Sequence, residues 1–155
     1  MKLKKKSPFP ARKKDDFLML RAVLDTNVLV SAIISEGKAR QLLKQGIAEK
    51  YRIVTSGLIL EELATVLSRP KFKTSQEEAK RIKAALKRTA DVVEVKTKVQ
   101  AVKEDPKDDM LIETALDGEA QVIVTGDNHL LALKNYGAIR IIAIEEMLTY
   151  LNKEI

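Results

Sequence analysis

The sequence predicts a single α/β domain in which helices cover both faces of a mainly parallel sheet, a three-layer α/β/α sandwich. Three observations carry that expectation. Short β-prone apolar runs alternate with segments that are apolar at helical spacing, as in strands joined by crossover helices. The chain has 155 residues, 45% hydrophobic and 32% charged, which suits one compact core. Two of the strand-like runs lead into an aspartate, and the carboxyl edge of an open α/β sheet is where sites form.

In chain order, Arg21 to Leu24 reads as a short buried strand ending at Asp25. A helix follows at once, capped by Thr26 or Asn27, and the run from Val28 to Ile34 is apolar almost throughout. Gly37 interrupts before a second helix with Ala39, Leu42, Leu43 and Ile47 on one side. Tyr51 to Val54 is the next strand. Ser56 reads as the cap of a helix whose buried face is expected at Leu60, Leu63, Ala64 and Leu67, with Pro70 limiting it.

Ser75 and Glu78 form a capping-box pattern ahead of a helix running to about Ala90, with Ile82, Ala85 and Leu86 turned inward. Asp91 to Val95 returns to a strand pattern. Asp105 and Pro106 announce a helix through Leu116, which Gly118 closes. Gln121 to Thr125 is the clearest strand. A short helix through Leu133, a strand from Ile139 to Ile144 and a helix from Glu145 to about Asn152 complete the chain.

Composition narrows the chemistry. With no cysteine, thiolate catalysis, disulfides and sulfur-ligated zinc are excluded, and a lone histidine, His129, rules out a multi-histidine site. Carboxylates remain as ligands, and hard oxygen donors favour magnesium or manganese. The first 16 residues hold seven basic and two acidic side chains, so they contribute +5 of the formal +6. Residues 1–20 are accordingly expected to be a flexible basic tail and residues 21–155 the folded domain. Ser7, Pro8 and Pro10 interrupt any signal-peptide pattern, and no apolar run is long enough to span a membrane, so a cytoplasmic protein is expected.

Asp25 and Asp127 follow two strands and would share a crevice if those strands are neighbours. Each taken alone is explained equally well as a helix cap. Glu62, one turn before Val66, lies nearer the apolar stripe than Glu61, by a modest margin. In Asp105-Pro106-Lys107-Asp108-Asp109, the first aspartate suits a cap and Asp108 suits the helix dipole. Asp109 aligns with Ile112 and Leu116 on the expected inner flank, where an anion is costly unless compensated. Carboxylates converging on one cleft repel one another, and a divalent cation relieves that repulsion. These residue types therefore point to phosphate chemistry.

Four strings resemble the successive motifs of PIN domains: Val23 to Ala32, Leu60 to Phe72, Asp105 to Asp109 and Ile123 to Asp127. They closely resemble the branch described as toxin components of toxin-antitoxin pairs, the VapC-like ribonucleases, and the resemblance spans roughly residues 21 to 150. It implies a Rossmann-like, mainly parallel five-stranded sheet of order 3-2-1-4-5 and an endoribonuclease using magnesium or manganese. By motif position, Asp25, Glu62, Asp109 and Asp127 match the family's four acidic residues, as catalytic groups and metal ligands, with Asp108 an alternative for the third. Asn27 and Thr125 match its supporting polar positions.

The resulting expectation is hydrolysis of RNA phosphodiesters by metal-activated water, leaving a 5′ phosphate and a 3′ hydroxyl. RNA is the expected substrate, with room for an antitoxin protein and a homodimer as partners and no membrane. His129 needs no catalytic role. Two other enzyme-like readings fail on single positions. Aspartyl-phosphate phosphotransferases need a second aspartate where Asn27 stands, and receiver modules need one after the third strand, where Val93 to Lys96 offers none. A non-catalytic module that binds RNA through its basic tail, or an RNA-processing nuclease outside any toxin-antitoxin system, is the alternative.

Overall fold

A computed structural model describes residues 19–72, 76–99 and 106–153. The basic tail expected over residues 1–20 thus falls almost wholly outside the described residues, as do Ser75 of the capping box and Asp105.

The first strand, β1 (Arg21–Leu24), is buried from Ala22 onward and lies between β2 (Arg52–Ser56) and β4 (Val122–Val124), parallel to both. A strand covered on both faces must be apolar continuously rather than alternately, and Ala22-Val23-Leu24 and Val122-Ile123-Val124 are. Outside them lie β3 (Asp91–Val93), parallel to β2, and β6 (Ile139–Ile142), parallel to β4. A two-residue strand, β5 (Asn135–Tyr136), runs antiparallel along β6, so the full order is β3-β2-β1-β4-β6-β5.

The parallel part reproduces the implied order 3-2-1-4-5, with β6 as the expected fifth strand. The extra strand is made possible by Gly137, whose φ of 59° lets the chain reverse between Tyr136 and Ile139. Two residues carry no periodicity, which is why the sequence pattern does not announce them.

Helix α1 (Thr26–Ile34) packs on α2 (Lys38–Ile47), α3 (Gly57–Leu67) and α4 (Gln76–Thr89), and α2 packs on α7 (Ile144–Lys153). On the other side, α5 (Pro106–Asp117) lies over β1, β2 and β4, and α6 (Asn128–Leu133) against β6. Residues between the layers, such as Leu24, Leu29, Ile53 and Ile112, are almost wholly removed from water. Burying one such side chain contributes roughly 1.5–3 kcal/mol.

Three expectations are corrected. The cap of α1 is Asp25, whose Oδ1 accepts from the Asn27 backbone N–H at 3.3 Å, not Thr26 or Asn27. The buried face of α3 is Ile59, Leu63 and Val66; Ala64 is exposed, and Leu60 and Leu67 are half-buried. In α5, Leu116 is exposed, and Asp108, Leu111, Ile112 and Ala115 are buried, with Glu113 and Thr114 buried beside them. Each face is turned by one residue from the expectation, because the apolar pattern spans more of the helix circumference than the sheet covers, and packing on the sheet selects the phase.

Gly118 ends α5 for a different reason from the one expected. A Cβ there would come within 2.5 Å of a Val54 methyl, so the residue serves close packing on β2. The left-handed position falls on the next residue, Glu119, at φ 53°.

Candidate active site

Strand order reverses beside β1: the chain steps outward to β2 and β3, then returns to place β4 on the other side. Leu24 and Val124 are in register, so the segments leaving both strands open onto one crevice. Asp25 leaves β1 there, with its backbone N–H donating to Val124 O at 2.9 Å. Asp127 leaves β4 three residues after Val124.

Both aspartates cap helices, as the simpler reading holds. Asp25 caps α1, and Asp127 Oδ1 accepts from the His129 N–H at 2.8 Å to cap α6. A cap engages one carboxylate oxygen, so capping and a role in the cleft are compatible. Thr125 ties the two together. Its hydroxyl donates to Asp25 Oδ2 at 2.6 Å and accepts from the Asp127 N–H at 3.0 Å.

Glu62 lies on the buried side of α3, between Ile59 and Val66, because that helix presents Ile59, Leu63 and Val66 to the core. Glu61 is exposed. Glu62 Oε2 accepts from the Thr26 hydroxyl at 3.0 Å, and its Oε1 lies 3.1 Å from Lys107 Nζ. Asp108, in the first turn of α5, is 5% exposed.

Asp25, Glu62, Asp108 and Asp127 all line one cleft of about 220 Å³, floored by Val66 and Leu111. Asp109 is half-buried and does not line it. Of the supporting positions, Asn27 is exposed on the cleft, and Thr125 is fully buried behind Asp25. His129 is exposed, and only its backbone takes part.

Burial pushes the Asp25 carboxyl above its ordinary value; hydrogen bonds from Thr125 and Asn27 oppose that rise, while the charges of Asp127 and Glu62 add to it. The ionised form of Asp25 is therefore disfavoured at its own position. Among the described residues no three acidic or histidine side chains are gathered closely enough to hold an ion by themselves. Magnesium needs no such cage, since it commonly takes one or two carboxylates and fills its other positions with water and phosphate. The oxygen-only donor set and the charge stress at Asp25 fit such an ion.

Three polar residues at the cleft were not foreseen as part of the site: Thr26, Arg69 and Lys107. Thr26 reads locally as a cap, and its link to Glu62 crosses 36 residues, beyond any local pattern. Lys107 does carry a signal, because a cation in the first turn of a helix opposes the dipole.

Solved structures share the fold. VapBC2 from Rickettsia felis, bound to a DNA fragment from its promoter, is similar at 14% identity with a TM-score of 0.57, over 80% of this chain and 98% of that one. PAE2754 from Pyrobaculum aerophilum is similar at 15% identity with a TM-score of 0.52, over 86% of this chain and 90% of that one. No curated protein sequence matches significantly. The PIN-domain family model matches residues 21–129, a stretch that contains every residue lining the carboxylate cleft, and the chain belongs to the PIN-domain family.

Proposed function

We propose that this PIN-domain chain is a magnesium- or manganese-dependent endoribonuclease that acts as the toxin of a toxin-antitoxin pair. The observation that carries the reading is the set of four carboxylates, Asp25, Glu62, Asp108 and Asp127, on one cleft at the strand-order reversal of a PIN-family sheet. When bound there, a divalent ion supplies Lewis acidity toward a phosphodiester and lowers the pKa of water. The chain's own residues do the rest. Thr125 fixes the carboxylate plane of Asp25, and Thr26 fixes that of Glu62, so neither must reorganise as substrate arrives. In this reading Asp108, rather than its neighbour Asp109, supplies the third acidic position of the site, because it lines the cleft.

The similarity to VapBC2 supports an antitoxin protein as partner, and a homodimer of this chain belongs to the same reading. Action on RNA in the cytoplasm belongs to the same reading. No helix among the described residues is long and apolar enough to cross a membrane.

The test is cleavage of a labelled single-stranded RNA by the purified protein in magnesium, in manganese and in chelator. We expect cleavage only with metal, with a 5′ phosphate on the downstream product. RNA binding with no metal-dependent cleavage would instead establish the non-catalytic module.

A further inference from the structure

Two cations stand among the carboxylates of the cleft, and holding a metal ion gives neither of them a task. Lys107 is the second residue of α5, and its ammonium reaches Glu62 Oε1 at 3.1 Å. That position faces the positive end of the helix dipole, so the lysine is placed unfavourably unless a neighbouring anion offsets it. The pair is lopsided: the Lys107 side chain is 68% exposed and that of Glu62 only 20%. The glutamate is anchored, with its second oxygen accepting from Thr26, while the lysine reaches in from solvent on a flexible stem. Arg69 follows the end of α3 and lines the same cleft, exposed, with no carboxylate of the described residues paired to it. Helices α3 and α5 touch, so the two cations flank Glu62 and Asp108 from adjacent elements.

We propose that Arg69 and Lys107 are a two-point grip for the phosphates of single-stranded RNA, and that Lys107 has two alternative partners. Without metal its ammonium neutralises Glu62; once a divalent cation takes Glu62, the ammonium turns to a substrate phosphate. The inference rests on the nuclease reading and deepens it. Four carboxylates would repel a polyanion, and a substrate phosphate needs cations close by to approach. The Arg69 guanidinium suits a phosphate through two parallel hydrogen bonds, whereas Lys107 acts as a mobile point charge. The exchange also gives binding an order, because the lysine leaves Glu62 only where metal has already arrived.

The experiment uses Lys107→Met and Arg69→Gln in the full chain, both at exposed side chains, with melting curves to check the fold. Manganese alone is titrated calorimetrically, and a short labelled single-stranded RNA is titrated by anisotropy in calcium and in chelator. Lys107→Met should tighten manganese about two- to fivefold, the scale of an exposed ion pair. It should weaken RNA about tenfold in calcium and hardly at all in chelator, as a charge-assisted hydrogen bond made only with metal present requires. Arg69→Gln should weaken RNA about tenfold in both conditions, reduce the salt slope by about 0.7, and leave manganese affinity unchanged.

Unchanged RNA affinity in both variants overturns the grip while leaving cleavage by the wild type, and so the nuclease reading, intact. Unchanged or weaker manganese binding by Lys107→Met overturns the exchange of partners. A wild type that binds no manganese and cleaves nothing overturns the nuclease reading and the exchange together, and the chelator arm with Arg69→Gln still decides whether Arg69 grips RNA.

Discussion

Asp25 carries a structural and a chemical duty on one carboxylate, and the two respond differently to losing its charge. In Asp25→Asn the side-chain oxygen can still accept from the Asn27 N–H, since asparagine caps as well as aspartate. The burial of an anion beside Asp127 and Glu62 is relieved. The variant should lose metal-dependent cleavage by at least about a hundredfold, as removal of a charge-stabilising group does, with an unchanged or raised melting temperature without metal. The sign with pH follows from the raised carboxyl. Below its ordinary 3.8, Asp25 is protonated folded or unfolded and imposes no penalty; as pH rises through its folded value, the native state alone must be forced to ionise, and stability falls. The wild type should therefore lose stability relative to Asp25→Asn across that window in chelator, and a variant that melts well below wild type would make Asp25 a cap only. A companion measurement concerns the doublet. Asp108 lines the cleft and Asp109 does not, so manganese titration should show the larger loss in Asp108→Asn. Asp25 and Asp127 were legible as site candidates because a strand's carboxyl end marks the crevice. The choice within the doublet was not, because it hangs on the rotational phase of one helix.

At the level of elements, the starts of α3 and α5 followed from local chemistry, whereas the strands expected to Val95 and Ile144 end at Val93 and Ile142 and the helix faces were not foreseen. Ser56 caps α3 as its sequence suggests, and Pro106 opens α5. Yet α3 and α5 both turn one residue from the stripe that apolar spacing favours, and Glu62 and Asp108 owe their positions to that turn. The join between α1 and α2 was equally invisible. Arg40 is buried, and its guanidinium donates to Ala32 O and Ile33 O, each at 2.8 Å, at the carboxyl end of α1. Those carbonyls have no onward helical partner, and a cation there also complements the dipole. Arg40→Met keeps the stem and removes both donors, so it should destabilise the fold by about 2–3 kcal/mol, or about 5–10 °C in melting temperature. Thermal unfolding decides it: a drop smaller than about 2 °C, well under the shift that two such hydrogen bonds imply, would mean that other groups or water satisfy the two carbonyls. Because Asp25 caps α1, a loosened α1 should also blunt cleavage.

Across the whole molecule, charge is distributed in a way that the fold does not explain. The sheet order was within reach of the sequence because motifs in series imply it, while the two-residue β5 is too short to carry a pattern and the cations of the cleft depend on distant segments meeting in space. The first 16 residues hold +5 of the formal +6, which leaves the remainder of the chain near neutral. A near-neutral domain with an acidic cleft has little long-range attraction for RNA, and a concentrated basic segment supplies it. Deleting residues 1 to 16 should leave the rate constant for cleavage of a short RNA nearly unchanged, because every cleft-lining residue lies from Asp25 onward. Binding should weaken, and the slope of log affinity against log salt should flatten by about 0.7 for each phosphate that the basic segment no longer neutralises. If the segment neutralises several phosphates, the change stands well above experimental scatter. The competing account has Phe17 to Leu20 and the basic segment packing on the domain, for which Leu20, 4% exposed, is a visible foothold. That account predicts a lower melting temperature and a fall in both kinetic constants, with the salt slope unchanged. Affinities at several salt concentrations, read beside a melting curve of the same truncated protein, separate the two: a flattened slope at constant melting temperature establishes electrostatic capture, and a constant slope with a lowered melting temperature removes it.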